Sequence, residues 1–566
     1  MARQKKGMNG FSESQLHSHF KMKRILSIAL LICYQSGFSQ FNPQSKKVTE
    51  KFFPEMEIEI NTPAFQKKKG FTNYEEMMAF IDKKVAESPE FISYVFIGES
   101  QKGKQIPLLR LTNSQSSLPK TKVWMQGGLH GNEPASTEGL LYLVDQLLAQ
   151  ASQTYPKENL LSPADQALAK APPANPLDHI ILHIVPMANI DGYEKQDRYA
   201  ANGLDLNRDQ TKLMAPESVQ LKQAFSDFSP AVALDFHEFR PYRRDFARMG
   251  DWGISSAFDV MFLYTGNLNV PKELRDFTEE QFVNPAKEVV KKIGLRSYDY
   301  ISTTDYHGET HFNLGATNPR SSATSYALSN CISTLIEVRG VGIKRSSFKR
   351  RVFTTYSIAQ SYLHSTKEKA QQVSEMLNRV NKQPNSSVVV LSNRTITARE
   401  IPVIDIGSNE LIAYEIVVRS ALNSSPKLKR PRPTAYILPP GSELVISKLK
   451  TLGITVMQLA EAQSIEVEAY IITKYQRESY PYEGIHPQNV ETKVITKTIS
   501  FPAGSSVITL DQRKSNLSAV VLEPETNSGF VHFEVIKTKL GEELPIYRYM
   551  QKNELSGLKS ESPNHE

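Results

Sequence analysis

The chain has only 2 cysteines in 566 residues, Cys33 and Cys331, so a disulfide framework is excluded. Long apolar runs are also missing. The most apolar stretch, Ile25–Tyr34, is half of the roughly 20 residues that a membrane-spanning helix needs. No internal repeat of fixed period is present. The formal charge of +7 looks basic, but Arg3, Lys5, Lys6, Lys21, Lys23 and Arg24 face only Glu13 in the first 40 residues. The remainder is close to neutral and carries no electrostatic footprint for nucleic acid. With 40% hydrophobic residues there is ample material for packed cores, which excludes a collagen-like, coiled-coil or largely disordered chain. At about 100–200 residues per domain, two to four domains are expected.

Met22-Lys-Arg, the apolar run and the small-residue exit Gln-Ser-Gly-Phe-Ser-Gln40 read as a secretory signal peptide within a leader over 1–40. Residues 1–21 read as an extension ahead of it. A secreted or periplasmic location follows, with no transmembrane helix in the mature chain.

From about 41 to 385 short β-rich runs alternate with amphipathic stretches. Val123–Gln126, Ile180–Val185, Ala231–Phe236 and Ile332–Val338 are buried-strand patterns, and Ala135–Gln150 repeats apolar residues at helical spacing. This predicts an α/β domain with a mixed, mostly parallel sheet flanked by helices. Ser152–Pro176 reads as a surface excursion, 271–293 as a helical insertion, Lys367–Val380 as a closing helix and Asn381–Ser387 as a linker. Over 386–553 short β-type runs recur between Pro-Gly punctuation, among them Val388–Leu391, Ile412–Val418, Ile465–Ile472 and Val531–Ile536. They predict a β-rich, sandwich-like accessory domain, followed by a polar tail over 554–566.

Four segments carry chemistry. Gly127-Gly-Leu-His130-Gly-Asn-Glu133 follows the first buried run, and a His and a Glu three apart can reach one metal. His237 closes Leu234-Asp-Phe-His and can complete a His2Glu set with an open position, at the strand ends where α/β sheets place their sites. Arg198, Asn207 and Arg208 flank an Asn-Gly turn and suit a planar carboxylate and a developing oxyanion. Glu337 lies inside Ser333-Thr-Leu-Ile-Glu-Val, where burial would raise its pKa toward that of a useful base. The alternating His307-x-Glu309-x-His311 has poor spacing for a second metal cluster.

Together, His130-x-x-Glu133, Asn189-x-Asp-Gly, Arg198, Asn207-Arg208, His237 and Glu337 resemble the zinc carboxypeptidase family in order and context over roughly 70–345. The resemblance implies one Zn2+ per chain on His130, Glu133 and His237. It also implies Arg198 as oxyanion stabiliser, Asn207 and Arg208 as the clamp for a terminal carboxylate, and Glu337 as general base. Asp205 resembles the carboxylate that orients a zinc histidine. Arg320, in Asn318-Pro-Arg-Ser-Ser, resembles a residue lining the specificity pocket. Two tyrosines, Tyr306 and Tyr326, compete for the family's substrate-covering role. The implied activity is hydrolysis of the C-terminal bond of peptides bearing a free carboxylate. Deacylation of N-acyl amino acids and cleavage of peptidoglycan stem peptides are the alternatives for the same site.

Overall fold

The computed structural model describes residues 45–152, 175–553 and 555–560. The expected leader with its signal peptide, and nearly all of the excursion Ser152–Pro176, lie outside the described residues.

The strand–helix alternation builds an eight-stranded mixed sheet. In spatial order it contains β1 (Ile92–Glu99), β2 (Gln105–Leu111), β4 (Ile180–Val185), β3 (Thr121–Gly127), β5 (Val232–Phe239), β11 (Ile332–Arg339), β7 (Val260–Leu263) and β8 (Ser297–Asp299). The centre, β4-β3-β5-β11, is parallel, whereas β1, β2 and β7 join antiparallel. All eight residues of β5 are buried, which is why its sequence is apolar except at the positions used for chemistry. Successive side chains alternate between the two faces. On the Glu238 face, Arg351 of the helix Phe348–Glu368 pairs with that carboxylate. On the Asp235 face, Ser322 opens the helix Ser322–Leu328 and donates from Oγ to Asp235 at 2.5 Å.

The insertion over 271–293 is helical, Lys272–Thr278 and Asn284–Lys292 joined through one widened turn. The closing helix is longer than its periodicity suggests, because Phe348–Glu368 runs almost directly into Ala370–Lys382.

Two further sheets involve the C-terminal half. One contains β6 (Ile254–Ser256), β12 (Ser387–Asp405), β13 (Glu410–Pro431), β10 (Glu309–Leu314) and β9 (Ile301–Tyr306), in that order. The long β12–β13 hairpin starts just past the boundary expected near 385 and shares its sheet with strands that precede that boundary. The other has seven strands, β17 (Gln488–Phe501), β16 (Gln463–Arg477), β19 (Glu543–Tyr549), β14 (Ala435–Leu438), β18 (Ser506–Thr509), β15 (Met457–Leu459) and β20 (Leu558–Ser560). Val531–Ile536, expected as a strand, is instead a compact turn. Phe533 N donates to Gly529 O and Ile536 N to Phe530 O, with Val531 and Ile536 buried in the main core, so its apolar residues pack without forming a strand. One continuous core joins Trp124, Leu234 and Tyr356 to Tyr436, Ile508 and Val520 of the C-terminal half. Among the described residues no helix is long and apolar enough to cross a membrane.

Candidate active site

The site forms where the parallel strands end. β3 stops at Gly127, and the loop that follows carries His130 and Glu133 before Pro134 starts the helix Pro134–Ala151. Two glycines make the loop possible. Gly128 has φ +64°, and a Cβ on Gly131 would stand 2.1 Å from the carbonyl carbon of Gly192. The third group needs no loop. His237 and Glu337 are direct register partners on the neighbouring parallel strands β5 and β11, so both point to one face of the sheet.

His130, Glu133 and His237 are buried, and their ligand atoms all lie within 4.8 Å of one another. His130 Nδ1 is 2.8 Å from Glu133 Oε1, His237 Nδ1 is 2.9 Å from Glu133 Oε2, and the two Nδ1 atoms are 3.0 Å apart. The outer ring nitrogens face carboxylates, His130 Nε2 at 3.0 Å from Asp205 Oδ1 and His237 Nε2 at 2.9 Å from Asp235 Oδ2. A carboxylate only accepts, so each Nε2 is placed to carry a proton, and with a metal bound each Nδ1 would offer its lone pair. Two imidazole lone pairs and a carboxylate thus converge on one point, a donor set that fits a divalent zinc ion with an open position. From the cleft side Arg198 Nη1 approaches His130 Nδ1 at 3.2 Å. Burial opposes ionisation of Glu133, but His130 and His237 outweigh it and hold the carboxyl well below its usual range.

Glu337 is the complementary case. Burial first, and repulsion from Glu133 second, push its carboxyl up to about 7, against the pull of His237, His130 and Arg198. It lines a cleft of about 570 Å³ together with His130, Arg198, Asn207, Arg208 and Arg320.

Asp205 organises the arginine side. Its Oδ1 accepts from His130 Nε2 and from Asn207 N at 2.8 Å, capping the turn Leu206–Arg208. Its Oδ2 accepts from Arg198 Nε at 3.0 Å and Nη2 at 2.8 Å. Asn207 Oδ1 accepts from Ser322 N at 2.9 Å, which leaves its amide nitrogen for the cleft. The Asn189-Ile-Asp-Gly segment is scaffold. Asn189 caps the helix Ile190–Lys195 by accepting from Gly192 N at 3.0 Å, and Asp191 accepts from Ser100 Oγ at 2.9 Å.

The structure thus brings His130, Glu133, Arg198, Asp205, Asn207, Arg208, His237, Arg320 and Glu337 to one place, and it does not bring the two tyrosines there. Tyr326 is buried on the same face of the sheet, beneath the helix Ser322–Leu328, stacked on Phe225 at 3.9 Å with its hydroxyl donating to Gln126 Oε1. Its helix turns the ring into the core. Tyr306 is 40% exposed at the far end of β9, where Arg419 covers its ring at 4.0 Å. Neither lines the cleft. The tyrosine that does is Tyr300, whose hydroxyl is pushed up to about 12 by burial and by Glu337. Sequence reasoning missed Tyr300 because no motif surrounds it. It missed Asp235 although the signal was present, two residues before His237 on the same strand face. His307-x-Glu309-x-His311 brings no third ligand together, and His130, Glu133 and His237 form the one candidate cluster among the described residues.

A profile described as zinc carboxypeptidase matches residues 77–370. "Carboxypeptidase 2" of Trichophyton rubrum is 29% identical over 489 residues, covering 85% of this chain and 87% of the fungal protein. "Carboxypeptidase 2" of Trichophyton equinum matches over the same length, coverage and identity. Among solved structures, a metallo-carboxypeptidase from Burkholderia cenocepacia overlaps 53% of this chain and 70% of its own, at 18% identity and a TM-score of 0.38.

Proposed function

Because the chain belongs to the zinc carboxypeptidase family, we propose that it releases the C-terminal residue of peptides, with Glu337 as general base and Arg208 and Asn207 as the clamp for the terminal carboxylate. The observation that carries this reading is the register pairing of Glu337 with His237, which sets a raised-pKa carboxyl beside a three-ligand cluster in a cleft that also holds guanidinium groups with no carboxylate partner among the described residues, Arg208 and Arg320 among them.

A zinc ion on His130, Glu133 and His237 supplies Lewis-acid chemistry, acidifying a water and polarising a carbonyl oxygen. The chain's own groups do the rest. Arg208 and the Asn207 amide bind the free carboxylate and so set the last peptide bond in reach. Glu337, with a pKa near neutrality, takes the proton of the attacking water and returns it to the leaving amine. Arg198, anchored through Asp205, donates toward the oxygen on which negative charge develops. Asp205 and Asp235 keep both imidazoles in the tautomer that offers Nδ1. The leader over 1–40, read as carrying a signal peptide, would send the enzyme out of the cytoplasm to work on peptides there.

Glu337→Gln tests the assignment. It should retain one zinc per chain and lose turnover by roughly 10²–10⁴-fold. Near-normal turnover in a zinc-loaded variant would overturn the general-base role.

A further inference from the structure

Building on the carboxypeptidase reading, we propose that the tip of the β16–β17 hairpin, through Tyr482 and Glu483, is a positioning element of the terminal-carboxylate pocket, holding Arg320 and the Asp205–Arg208 turn from the far end of the chain. These residues lie more than a hundred positions beyond the part of the chain that matches the family profile.

The tip is a built structure. β16 and β17 pair as far as Arg477 and Gln488, and the residues beyond close with a second rung, Tyr482 N donating to Ile485 O at 2.7 Å and Ile485 N to Tyr482 O at 3.1 Å. Glu478 N donates to Pro487 O at 2.9 Å across its base. Glu483 sits at φ +48°, a left-handed conformation that glutamate rarely adopts. Its Oε2 accepts from Asp205 N at 2.8 Å. Asp205 is the residue whose carboxylate orients His130, anchors Arg198 and caps the turn carrying Asn207 and Arg208, so the hairpin tip fixes the backbone of that hub.

Tyr482 acts on the other guanidinium. Arg320 lies over its ring, 4.9 Å from the centroid. Arg320 is half-buried in the cleft wall, and among the described residues no carboxylate or carbonyl accepts from it. Burial and the neighbouring Arg208 both work against its charge, whereas Tyr482, Asp205 and Glu483 favour it. A guanidinium without acceptors is free to turn, and an aromatic face fixes its plane and leaves the edge donors for an anionic ligand. A second seam steadies the same wall, since Thr211 Oγ1 donates to Ser528 O at 3.2 Å and Ser528 Oγ bonds Asn318 Oδ1, two residues before Arg320.

The test compares the full-length zinc enzyme with Tyr482→Ala, Tyr482→Phe, Glu483→Ala and Glu483→Gln on one peptide and on its C-terminal amide, with kcat, KM and thermal midpoint measured for each. Tyr482→Ala should raise KM for the free-carboxylate peptide about five- to tenfold with kcat little changed. Tyr482→Phe keeps the ring and should restore KM. Glu483→Ala should raise KM in the same way, and Glu483→Gln, which keeps an acceptor oxygen, should recover most of the loss. A normal KM in both alanine variants, failure of the conservative variants to rescue, or losses that follow the thermal midpoint and fall equally on the amide would overturn the proposal. If the unaltered enzyme prefers the amide or ignores the terminus, the carboxypeptidase reading itself fails, an outcome separate from any variant and one that takes the positioning role with it.

Discussion

At the scale of single residues, Asp205 shows how one carboxylate serves several groups at once. Its two oxygens accept from His130, Asn207 and Arg198, and its own N–H is held by Glu483. Burial alone would raise its carboxyl, but His130, Arg198 and Arg208 keep it ionised well below the usual range. Arg208 contrasts with it, because its Nη1 donates only to the carbonyl of Asn207 and its remaining donors face the cleft. Arg208→Ala should therefore cost about 2–5 kcal/mol in kcat/KM on peptides with a free carboxylate and much less on their amides. Equal losses on both substrates would show that Arg208 does not read the terminus. Most of this was legible from residue types and order, since His-x-x-Glu, Asn-Arg, a strand-end His and a lone Glu in an apolar run are each weak signals alone but specific in combination. The tyrosines were not. Burial of an aromatic depends on which way its helix or strand faces, and Tyr326 carries nothing in its neighbourhood that separates a core ring from a cleft ring.

At the scale of elements, the register of β5 against β11 does the decisive work. Aligning Ile332 with Val232 brings Glu337 opposite His237, and a shift of one residue would turn Glu337 to the other face of the sheet. That register is locked from behind. Glu238, on the opposite face of β5, is buried and pairs with Arg351 at 2.5 Å, and Arg351 also donates to the carbonyl of Lys344 at 2.5 Å. Arg351→Met would leave Glu238 buried without its cation and should destabilise the fold by about 3–5 kcal/mol. Thermal or denaturant unfolding checks this, and a variant as stable as the parent would mean the pair does not brace the sheet. The buried parallel strands were readable because they are short apolar runs with turn residues at each end. The hairpin of β12 and β13 was readable only at its ends. Its middle, from Asn393 to Arg399, is largely exposed on both faces and so lacks the alternation that marks a half-buried strand.

At the scale of the whole molecule, the two halves share a sheet and a core. β12 contributes Arg394, Ile401 and Val403 to the cleft wall, and the hairpin of β12 and β13 links β6 to β10 within one sheet. A chain ended near Ser387 loses both long strands, bares the edges of β6 and β10, and opens the shared core at Tyr436 and Ile508. Such a truncation should be insoluble or lack a cooperative unfolding transition. A soluble, fully active fragment would show the C-terminal half to be dispensable. Sequence texture announced a β-rich half but not this interlock, because pairing between strands more than a hundred residues apart leaves no local periodicity. The central claim, that His130, Glu133 and His237 hold one zinc ion in a site that reads a peptide's terminus, is tested most directly by mass spectrometry of a peptide digest with and without chelator. Stepwise loss of single C-terminal residues is expected, abolished by the chelator and restored by added zinc. Internal cleavage, or hydrolysis indifferent to the chelator, would contradict it.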